Sequence, residues 1–417
     1  NGGQLKSMEQ NAFNAFNKLG IPVKHEEWKY THISSLFNKN FELISAKETS
    51  SIAAKDLDAI RLPGYEQANE LIFVNGVYSS QLSTIRSAAL VILPLEVAAQ
   101  NEFKDIVFRH LGHSSKYVKD GIHALNTAFV EDGVFIYVNE RQVIEHPVYM
   151  YHVTDARSAN ILSQPRSLVY VSKAAQVQLV ETYATIGRSE SFINQIIEVI
   201  LERDAIVEYY KIQNDSAHTN QVSTTHFRQV GKSTIHAVTI SLNGGIVRNN
   251  LNIAMEAEYS EAHLYGLYFL NGQSHIDNHT IVDNVTPNCL SNELYKGIID
   301  DYATAVFNGK IFVQPQAQKT NAFQSNKNIL LSDAATVNTK PQLEIFADDV
   351  KCSHGCTVGR LDEEGLFYLR SRGISEKIAR SLLVHAFAFD IIEQIKLAPF
   401  RNYVDQLISA RLEFEGI

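Results

Sequence analysis

The sequence predicts a mainly β protein in which a long stack of short strands lies between two helix-containing regions. From about Val134 to Phe346, β-branched and aromatic residues alternate with polar ones in many short runs, as they do in half-buried strands. Turn-forming Asn, Gly, Asp and Ser separate these runs at intervals of roughly 11 to 21 residues, which is typical of stacked coils. Before and after this region, apolar residues recur at three- and four-residue spacing, which indicates helices.

The length of the β region favours a solenoid over a sandwich. A single pair of sandwich sheets rarely needs more than about 100 residues, whereas this region covers residues 134–346. A β-helix or another solenoid uses such a length in one stack with a shared apolar interior. The two ends of the stack would leave backbone groups unpaired, so we expect terminal caps and assign them to the flanking helical segments.

The region before the stack is predicted to be mostly helical with some β structure. Helical spacing runs through Asn11–Leu19 and Phe103–Leu111, and Asn75-Gly76 is a hairpin turn signal between two β-prone runs. Residues 1–7 precede the first methionine and are treated as a remnant of expression outside the fold. The predicted domains are 8–130, mostly helical; 131–350, the β-helix core; and 351–417, helical.

The region after the stack is predicted to hold two amphipathic helices. Asp362 can cap the first, whose acidic first turn and basic last turn complement the helix dipole, and Gly373 can end it. Ser375 can cap the second, whose apolar residues recur every three or four positions until Pro399 ends it. Such a pair packs on the body of the protein or offers a face to another protein, and both interpretations stay open.

Composition restricts the partners and the compartment. A formal net charge of -9 and a pI near 5.9 argue against nucleic acid as the main partner, because phosphate binding needs a basic surface. The three cysteines, Cys289, Cys352 and Cys356, do not resemble a disulfide framework and fit a reducing compartment. The apolar runs fall far short of the roughly 20 residues of a membrane helix. We therefore expect a cytoplasmic protein without a membrane partner.

Three potential metal ligands lie close together near the end of the β region. Cys352 and His354 are separated by one residue, so on a strand both side chains point to the same face. Thiolate and imidazole suit zinc, iron and iron-sulfur clusters, but a closed site needs about four donors. Cys356 continues the same face unless Gly355 bends the strand. The alternative interpretation is a partly buried strand end in which cysteine is a small core residue.

A second set of candidate ligands lies within the β region. His275, Asp277 and His279 alternate on one strand face, as the ligands of a metal-binding barrel could. No further carboxylate follows at a familiar interval, so we expect hydrogen-bonded surface or cap residues instead. Other histidines of the same region are His226, His236 and His263.

Motifs of several common enzymes are missing from the sequence. It contains no Gly-x-x-x-x-Gly-Lys-Ser/Thr loop, and Gly244-Gly245 lacks the lysine and the following helix that phosphate binding requires. We therefore expect no ATP hydrolysis by this chain alone. It also contains no Gly-x-Ser-x-Gly elbow and no His-Glu-x-x-His helix, which removes two common hydrolase interpretations.

A series of segments resembles the SufB/SufD family of iron-sulfur cluster assembly proteins. The dense match covers roughly residues 247–374, and Glu27–Thr31 resembles a segment near the family's N-terminus. Leu361–Glu364 and Cys352–His354 are similar to the SufD branch of the family rather than to SufB. The matching segments are Arg248–Leu251, His275–Asn278, Tyr295–Ile298, Phe307–Lys310, Ala317–Thr320, Leu330–Asp333, Thr339–Pro341, Glu344–Gly359, Leu361–Glu364 and Leu366–Ile374.

The resemblance implies a right-handed parallel β-helix core and a non-enzymatic scaffold that pairs with a SufB-like subunit. It also implies that a transient iron-sulfur cluster forms at the subunit interface, with Cys352 and especially His354 as ligands. Cys356 stands where the family commonly has a small residue, and it is a further candidate metal ligand. A SufC-like ATPase would bind the C-terminal helical region, through Asp362, Glu363, Leu366, Phe367, Tyr368, Arg370 and Arg372.

Two other functions stay open from the sequence. The first is a β-helix enzyme that acts on polysaccharide, although neither a secretion signal nor a carboxylate cluster supports it. The second is a homodimer, because a strand edge that pairs with a SufB-like subunit could also pair with its own copy.

Overall fold

The computed structural model describes residues 3–43 and 52–414. The α-helices are α1 (Gly3–Leu19), α2 (Ala54–Leu57), α3 (Leu95–Ala98), α4 (Lys104–His110), α5 (Gly121–Thr127), α6 (Glu363–Ser371), α7 (Glu376–Ile392) and α8 (Ala398–Phe414). Short 3-10 helices lie at Glu26–Trp28, Ser34–Asn38, Tyr65–Gln67, His113–Lys116 and Val130–Asp132. The strands are β1 (Glu42–Leu43), β2 (Asn69–Val74), β3 (Val77–Thr84), β4 (Leu90–Pro94), β5 (Val134–Val138), β6 (Val148–Ala156), β7 (Ile161–Ser163), β8 (Arg166–Val171), β9 (Gln176–Gly187), β10 (Ser191–Leu201), β11 (Ile206–Asn214), β12 (Thr219–Gln229), β13 (Thr234–Asn243), β14 (Ile246–Met255), β15 (Glu261–Leu270), β16 (His275–Asn284), β17 (Leu290–Ile299), β18 (Thr304–Val313), β19 (Asn321–Leu330), β20 (Thr336–Ile345) and β21 (Lys351–Gly359).

Two sheets form the core, and the strands of the stack alternate between them. Sheet A runs from β4 and β5 through the even-numbered strands β8 to β20, and sheet B runs from β3, β2 and β6 through the odd-numbered strands β9 to β21. About eight coils stack in this way. Pairing stays in register between coils, so that Val247, Ile276 and Ala305 occupy one position in three successive coils. The predicted parallel β-helix core is confirmed.

The two sheets face each other across a shared interior that holds one large apolar cluster. In β10, Ile197, Val199 and Leu201 point into this interior, whereas Glu198 and Ile200 point outward to the N-terminal region. Both faces of β10 are therefore covered, and every residue of the strand is buried. Strands covered on both faces carry near-continuous apolar runs, and for this reason the central strands lack a clean polar alternation.

The N-terminal region covers the outer face of sheet A. Leu5 of α1, Leu95 of α3 and Val107 of α4 pack with Leu168 and Ile200 of the sheet. Leu5 is buried, so the prediction that residues 1–7 lie outside the fold was wrong for the part of α1 that precedes the first methionine. The apolar contact of Leu5 provides the physical reason.

Residues 27–31 attach a further stretch of the N-terminal region to sheet A. The indole nitrogen of Trp28 donates to Asp120 at 3.0 Å, and its ring lies 3.9 Å from the guanidinium carbon of Arg248. The Thr31 hydroxyl donates to the Asp277 carboxylate at 2.6 Å. The segment that resembles the family near its N-terminus thus clamps the N-terminal region onto two solenoid strands.

The two ends of the stack differ. At the first end, antiparallel β3 and β4 border the sheets, and Asn75-Gly76 makes the predicted two-residue turn with φ of 50° and 87°. At the other end, β20 and β21 each have a strand neighbour on one side only among the described residues. The expectation that helices cap both ends was wrong, because strands close the first end and the last coil stays largely exposed.

The C-terminal helices pack on the flank of the stack. Both predicted helix caps are confirmed, since the Asp362 carboxylate accepts from the Glu364 amide and the Ser375 hydroxyl accepts from the Ile378 amide. Apolar residues of α7 and α8 then cover the outer face of sheet B. The Lys296 ammonium adds a hydrogen bond to the Asp390 carboxylate across this contact.

Pro399 has a different role from the predicted one. It lies in the first turn of α8, where a missing N–H leaves no intrahelical bond unmade, and α7 ends earlier, at Ile392. Only two helices were predicted after the stack, so α8 was missed.

The domain boundaries are less sharp in the structure than along the sequence. Strands β2 and β4 fall within 8–130 but belong to the two sheets, and β21 extends sheet B to Gly359, beyond residue 350. Residues 44–51 of the first predicted domain and 415–417 of the last lie outside the described residues. Among the described helices, none has the length and apolarity needed to cross a membrane.

Candidate functional site

The predicted ligands lie on β21, the last strand of sheet B. This strand pairs in parallel with β19 along its whole length, from Lys351 to Gly359, without a break in register. Gly355 therefore continues the strand rather than bending it, and Cys352, His354 and Cys356 share one face. The shared face is the interior one, because the residues paired with them on β19 are buried between the sheets.

Cys352 lies at the rim of the apolar interior. It pairs with Ala322 on β19 and packs against the core while part of its surface stays exposed. Burial raises the pKa of the Cys352 thiol, although a backbone hydrogen bond at Ala322 opposes this. The thiol is thus held in its protonated form, and binding a metal would require it to release a proton.

His354 and Cys356 face the same way but are exposed. Their partners in register on β19 are Gln324 and Asn326, both of which are buried because β21 covers them. No further coil covers His354 and Cys356 in the part of the chain that the structure describes, so they lie open at the end of the stack. The structure therefore places all three predicted ligands on an accessible edge.

The donor set on this edge is incomplete within the chain. Across residues 3–43 and 52–414, no three His, Cys, Asp or Glu side chains converge in an arrangement that could hold a metal ion. Cys352, His354 and Cys356 follow one another along a strand, where alternate residues are about 7 Å apart. An iron-sulfur cluster is large enough to bridge two such positions, but it would still need donors from elsewhere.

A buried polar column leads from the interior to His354. Glu293, Gln324 and His354 occupy one position in three successive coils. The Gln324 amide nitrogen donates to Glu293 at 3.0 Å, and the Thr280 hydroxyl donates to the other carboxylate oxygen. Burial raises the pKa of Glu293 to about 7, although these two hydrogen bonds oppose the rise. A proton-binding carboxylate thus lies two coils below the exposed edge.

The second set of candidate ligands is engaged in hydrogen bonds. His275 contacts the Thr31 hydroxyl at 2.8 Å, and His279 lies 2.9 Å from Asp277 and 3.5 Å from Glu27. Burial alone would raise the pKa of Asp277, but His279 and Arg248 lower it to about 2. The expected hydrogen bonds are confirmed, but the expected surface position is wrong for Asp277 and His279, because residues 27–31 of the N-terminal region cover them.

The remaining histidines of the β region have structural partners too. His226 lies 2.9 Å from a ring nitrogen of His113, and burial lowers its pKa to about 3. The His236 ring nitrogen bonds the Gln394 carbonyl at 2.5 Å and so joins sheet B to the loop after α7. His263 lies 3.4 Å from Glu261 on the same strand.

The surface of α6 and α7 is unusually apolar. Phe367 is 75% exposed, and Tyr368, Ile378 and Leu382 are exposed as well. Leu366 points the other way and is buried, while Asp362 caps the helix. We call Phe367, Tyr368, Ile378 and Leu382 the helical patch.

Charged residues surround this patch. Glu363 lies in the first turn of α6, the Arg372 guanidinium lies 5.2 Å from the Tyr368 ring, and Arg370 pairs with Glu376 at 3.3 Å. Of the seven residues predicted to contact the ATPase, all except Leu366 are therefore exposed. An apolar centre with a polar rim is the usual composition of a protein interface.

Gly244-Gly245 lies between two strands of the stack. It connects β13 to β14, so no helix follows it, and a helix N-terminus is what a phosphate-binding loop requires.

Comparison with known proteins covers nearly the whole chain. Residues 3–150 match the SufBD protein N-terminal region, and residues 152–387 match the core domain described as SUF system FeS cluster assembly, SufBD core domain. The chain belongs to the SufB/SufD family. This membership confirms the family predicted from the sequence and supports a role in iron-sulfur cluster assembly.

Two relatives illustrate the match. An iron-sulfur cluster assembly SufBD family protein of Synechocystis is 33% identical over 426 residues, which cover 98% of this chain and 91% of the relative. The iron-sulfur cluster assembly protein SufD of Escherichia coli is 28% identical over 408 residues, which cover 95% of this chain and 90% of that protein. The second similarity is consistent with the SufD branch of the SufB/SufD family.

The sequence pointed to the candidate ligands but not to their surroundings. Glu293 and Gln324 were not singled out, because a lone Glu and a lone Gln on strands carry no local signal of burial. The signal that could have found them is the register of successive coils, since Glu293 and His354 share a column only once every strand between them is aligned.

Glu293 should make the stability of the chain depend on pH. Its pKa is higher in the folded chain than the ordinary 4.5, so the stabilisation is complete below about pH 4.5 and is lost as the pH rises through about 7. Glu293→Gln removes this loss. Between about pH 5 and pH 8, we expect the native chain to lose on the order of 3 kcal/mol of unfolding free energy relative to the variant, measured by urea denaturation.

Glu258→Gln is the matched control, because Glu258 is exposed on a turn and its replacement should produce no such pH-dependent difference. A constant difference between native chain and Glu293→Gln over this pH range would contradict the assignment of a buried, proton-binding carboxylate.

Proposed function

We propose that the chain is a SufD-type scaffold that contributes His354 and Cys352 to a nascent iron-sulfur cluster shared with a SufB-like subunit. The cluster is cargo that is built and passed on, not a resident cofactor. The observation that carries the proposal is the position of the two donors, which lie side by side on the open edge of the stack and face its interior. A second chain that continues the stack would bring its own donors to the same place.

The open edge supports pairing with another β-rich subunit. Strands β20 and β21 offer unpaired backbone groups on their outer sides, and such edges favour addition of a strand from a partner. Val358 on β21 and Phe346 just after β20 are exposed apolar residues at this end. Two sheets of a partner could extend sheets A and B together, and burying these side chains would add to the backbone pairing.

The chemistry of the donors fits a transient cluster better than a permanent one. The raised pKa of the Cys352 thiol makes thiolate formation dependent on the bound metal, and His354 is a neutral donor when it binds. Cys356 is a possible third donor of this chain, because the strand continues through Gly355. This chain would bind the cluster through thiolate and imidazole, and a partner would supply the remaining ligands.

The helical patch supports binding of a SufC-like ATPase. An amphipathic helix that exposes aromatic residues fits a groove on a partner, and the opposite faces of α7 and α8 are already used against sheet B. In this scheme, ATP binding and hydrolysis belong to the partner. Movement of the ATPase would reach the cluster edge through the rigid sheet B, which carries both the helices and β21.

The edge could also pair with a second copy of this chain. The same unpaired strands favour a homodimer in isolation, and light scattering with and without the SufB-like subunit separates the two arrangements. Family membership gives no support to the polysaccharide-active enzyme considered from the sequence.

Replacing the imidazole should affect the cluster more than the complex. With His354→Ala in a reconstituted complex, we expect cluster retention to fall by about 10-fold or more, because even outer-shell partners of a metal ligand contribute 10- to 100-fold. The measurement is anaerobic absorption spectroscopy with iron and sulfide analysis, alongside size-exclusion chromatography of the subunits.

His218→Ala is the matched control, since His218 is exposed on a turn of the stack. Assembly of the subunits should be unchanged in both variants. Equal cluster retention in His354→Ala and the native complex would remove His354 from the mechanism.

Removing an aromatic side chain from the helical patch should weaken binding of the ATPase. For Phe367→Ser we expect about 30-fold weaker association, which is a hot-spot loss of about 2 kcal/mol. Calorimetric titration of the chain with the ATPase subunit measures it. Tyr259→Ser is the matched control, because Tyr259 is also an exposed aromatic residue, 58% compared with 75% for Phe367, and lies on the turn between β14 and β15. Similar affinities for both variants would show that the patch is not the binding surface.

A further inference from the structure

The side chain next to His354 inside the stack is a buried carboxamide. Gln324 pairs in register with His354 and is only 3% exposed. Because neighbouring parallel strands are about 4.8 Å apart, side chains in one column lie within reach of each other. Gln324 is therefore the interior neighbour of the proposed cluster ligand.

Glu293 fixes the orientation of this carboxamide. An ionised carboxylate can only accept hydrogen bonds, and its two oxygens already receive the Thr280 hydroxyl and the Gln324 Nε2. When Glu293 is ionised, the Gln324 nitrogen must therefore face it. Its oxygen, Oε1, is consequently turned away from Glu293.

A glycine on the facing sheet makes room for the carboxamide. A Cβ built on Gly309 of β18 would collide with Nε2 and Cδ of Gln324. Gly309 lies opposite on sheet A and belongs to the Phe307–Lys310 segment that resembles the family. Any larger residue there would push the Gln324 side chain out of its position.

The oxygen presented in this way lacks a donor. Gln324 Oε1 is buried and accepts no hydrogen bond from any described residue. A buried acceptor without a donor is costly, and native proteins leave few of them. The nearest side chain further along the column is the exposed imidazole of His354, which can change rotamer and carries an N–H.

We propose that Gln324 is a positioning residue for His354: its Oε1 accepts a hydrogen bond from one ring nitrogen and leaves the other nitrogen to bind the cluster. This inference rests on the proposed function, because it assumes that His354 is a ligand. Histidines that bind metals usually donate their second ring N–H to an outer partner, which fixes the ring and its tautomer. Glu293 and Gly309 act through Gln324 by holding it in place.

The hydrogen bond can be tested in the isolated full-length chain, without any cluster. An exposed imidazole N–H exchanges with water too fast to be observed, whereas a hydrogen-bonded one gives an NMR signal in protein labelled with 15N-histidine. At about pH 8.5, where Glu293 is ionised, we expect one ring N–H signal that is lost in both His354→Ala and Gln324→Leu. Gln316→Leu, at an exposed turn position, is the matched control and should retain it. Retention of the signal in Gln324→Leu, or its absence from the native chain, would overturn the proposal.

The consequence for the cluster can be tested in the reconstituted complex. We expect the cluster to be lost to a chelator about 10- to 100-fold faster in Gln324→Leu than in the native complex. Gly309→Ala should change the rate in the same direction, because it displaces Gln324 without removing the carboxamide. Thermal melting monitored by circular dichroism verifies that both variants are folded, and either folded variant is sufficient for the test.

The outcomes separate this inference from the proposed function. If His354→Ala retains the cluster as well as the native complex does, the ligand assignment fails, whatever Gln324 does. If His354→Ala loses the cluster while folded Gln324→Leu and Gly309→Ala retain it at the native rate, only the positioning role of Gln324 is overturned.

Discussion

In-register parallel pairing between successive coils is the interaction on which the rest of the structure depends. It stacks residues at equal positions into columns, so that the direction of each side chain is set by the residue one coil before it. Cys352, His354 and Cys356 face inward because Ala322, Gln324 and Asn326 do. A stack of this kind must end somewhere, and its last strand, β21, is paired on one side only among the described residues. The candidate ligands lie on that strand, so their orientation is fixed by the stack while their accessibility comes from its ending.

The columns also explain how a site on an edge can be rigid. Glu293 and Gln324 are buried between the two sheets, and Gly309 on the facing sheet leaves room for the Gln324 side chain. The interior therefore prepares the position next to His354 before any partner arrives. In the proposed scaffold, a partner subunit would supply further donors, whereas the order of this position comes from the chain itself. The outer face of sheet B carries the C-terminal helices. One sheet therefore connects the helical patch with β21, the strand that carries the candidate ligands.

Much of this arrangement could be predicted from local sequence, and the part that could not depends on long-range register. Short β-prone runs with turn residues predicted the stack, Asn75-Gly76 predicted its hairpin, and Asp362 and Ser375 predicted two helix starts, because each signal lies within a few residues. Alternation along one strand also predicted that Cys352 and His354 share a face.

The features that were missed or wrongly predicted also have physical reasons. The column that joins Glu293 to His354 depends on the alignment of separate coils, which no local pattern contains. The strand caps at the first end depend on β3 and β4 pairing with strands of the stack. Pro399 was assigned to a helix end because proline is compatible with both the stop of one helix and the first turn of the next. Leu5 was excluded on its position before a methionine, although burial decides whether a residue belongs to the fold.

We propose that β21 is an open edge, which a SufB-like subunit completes. Amide hydrogen exchange, followed by mass spectrometry of peptides from 351–359, tests it most directly, in the dilute monomer and after addition of the SufB-like subunit. The account predicts rapid exchange in the monomer and strong protection in the complex, with no change in peptides from the central strand β15. Equal exchange of the 351–359 peptides in both samples would contradict it.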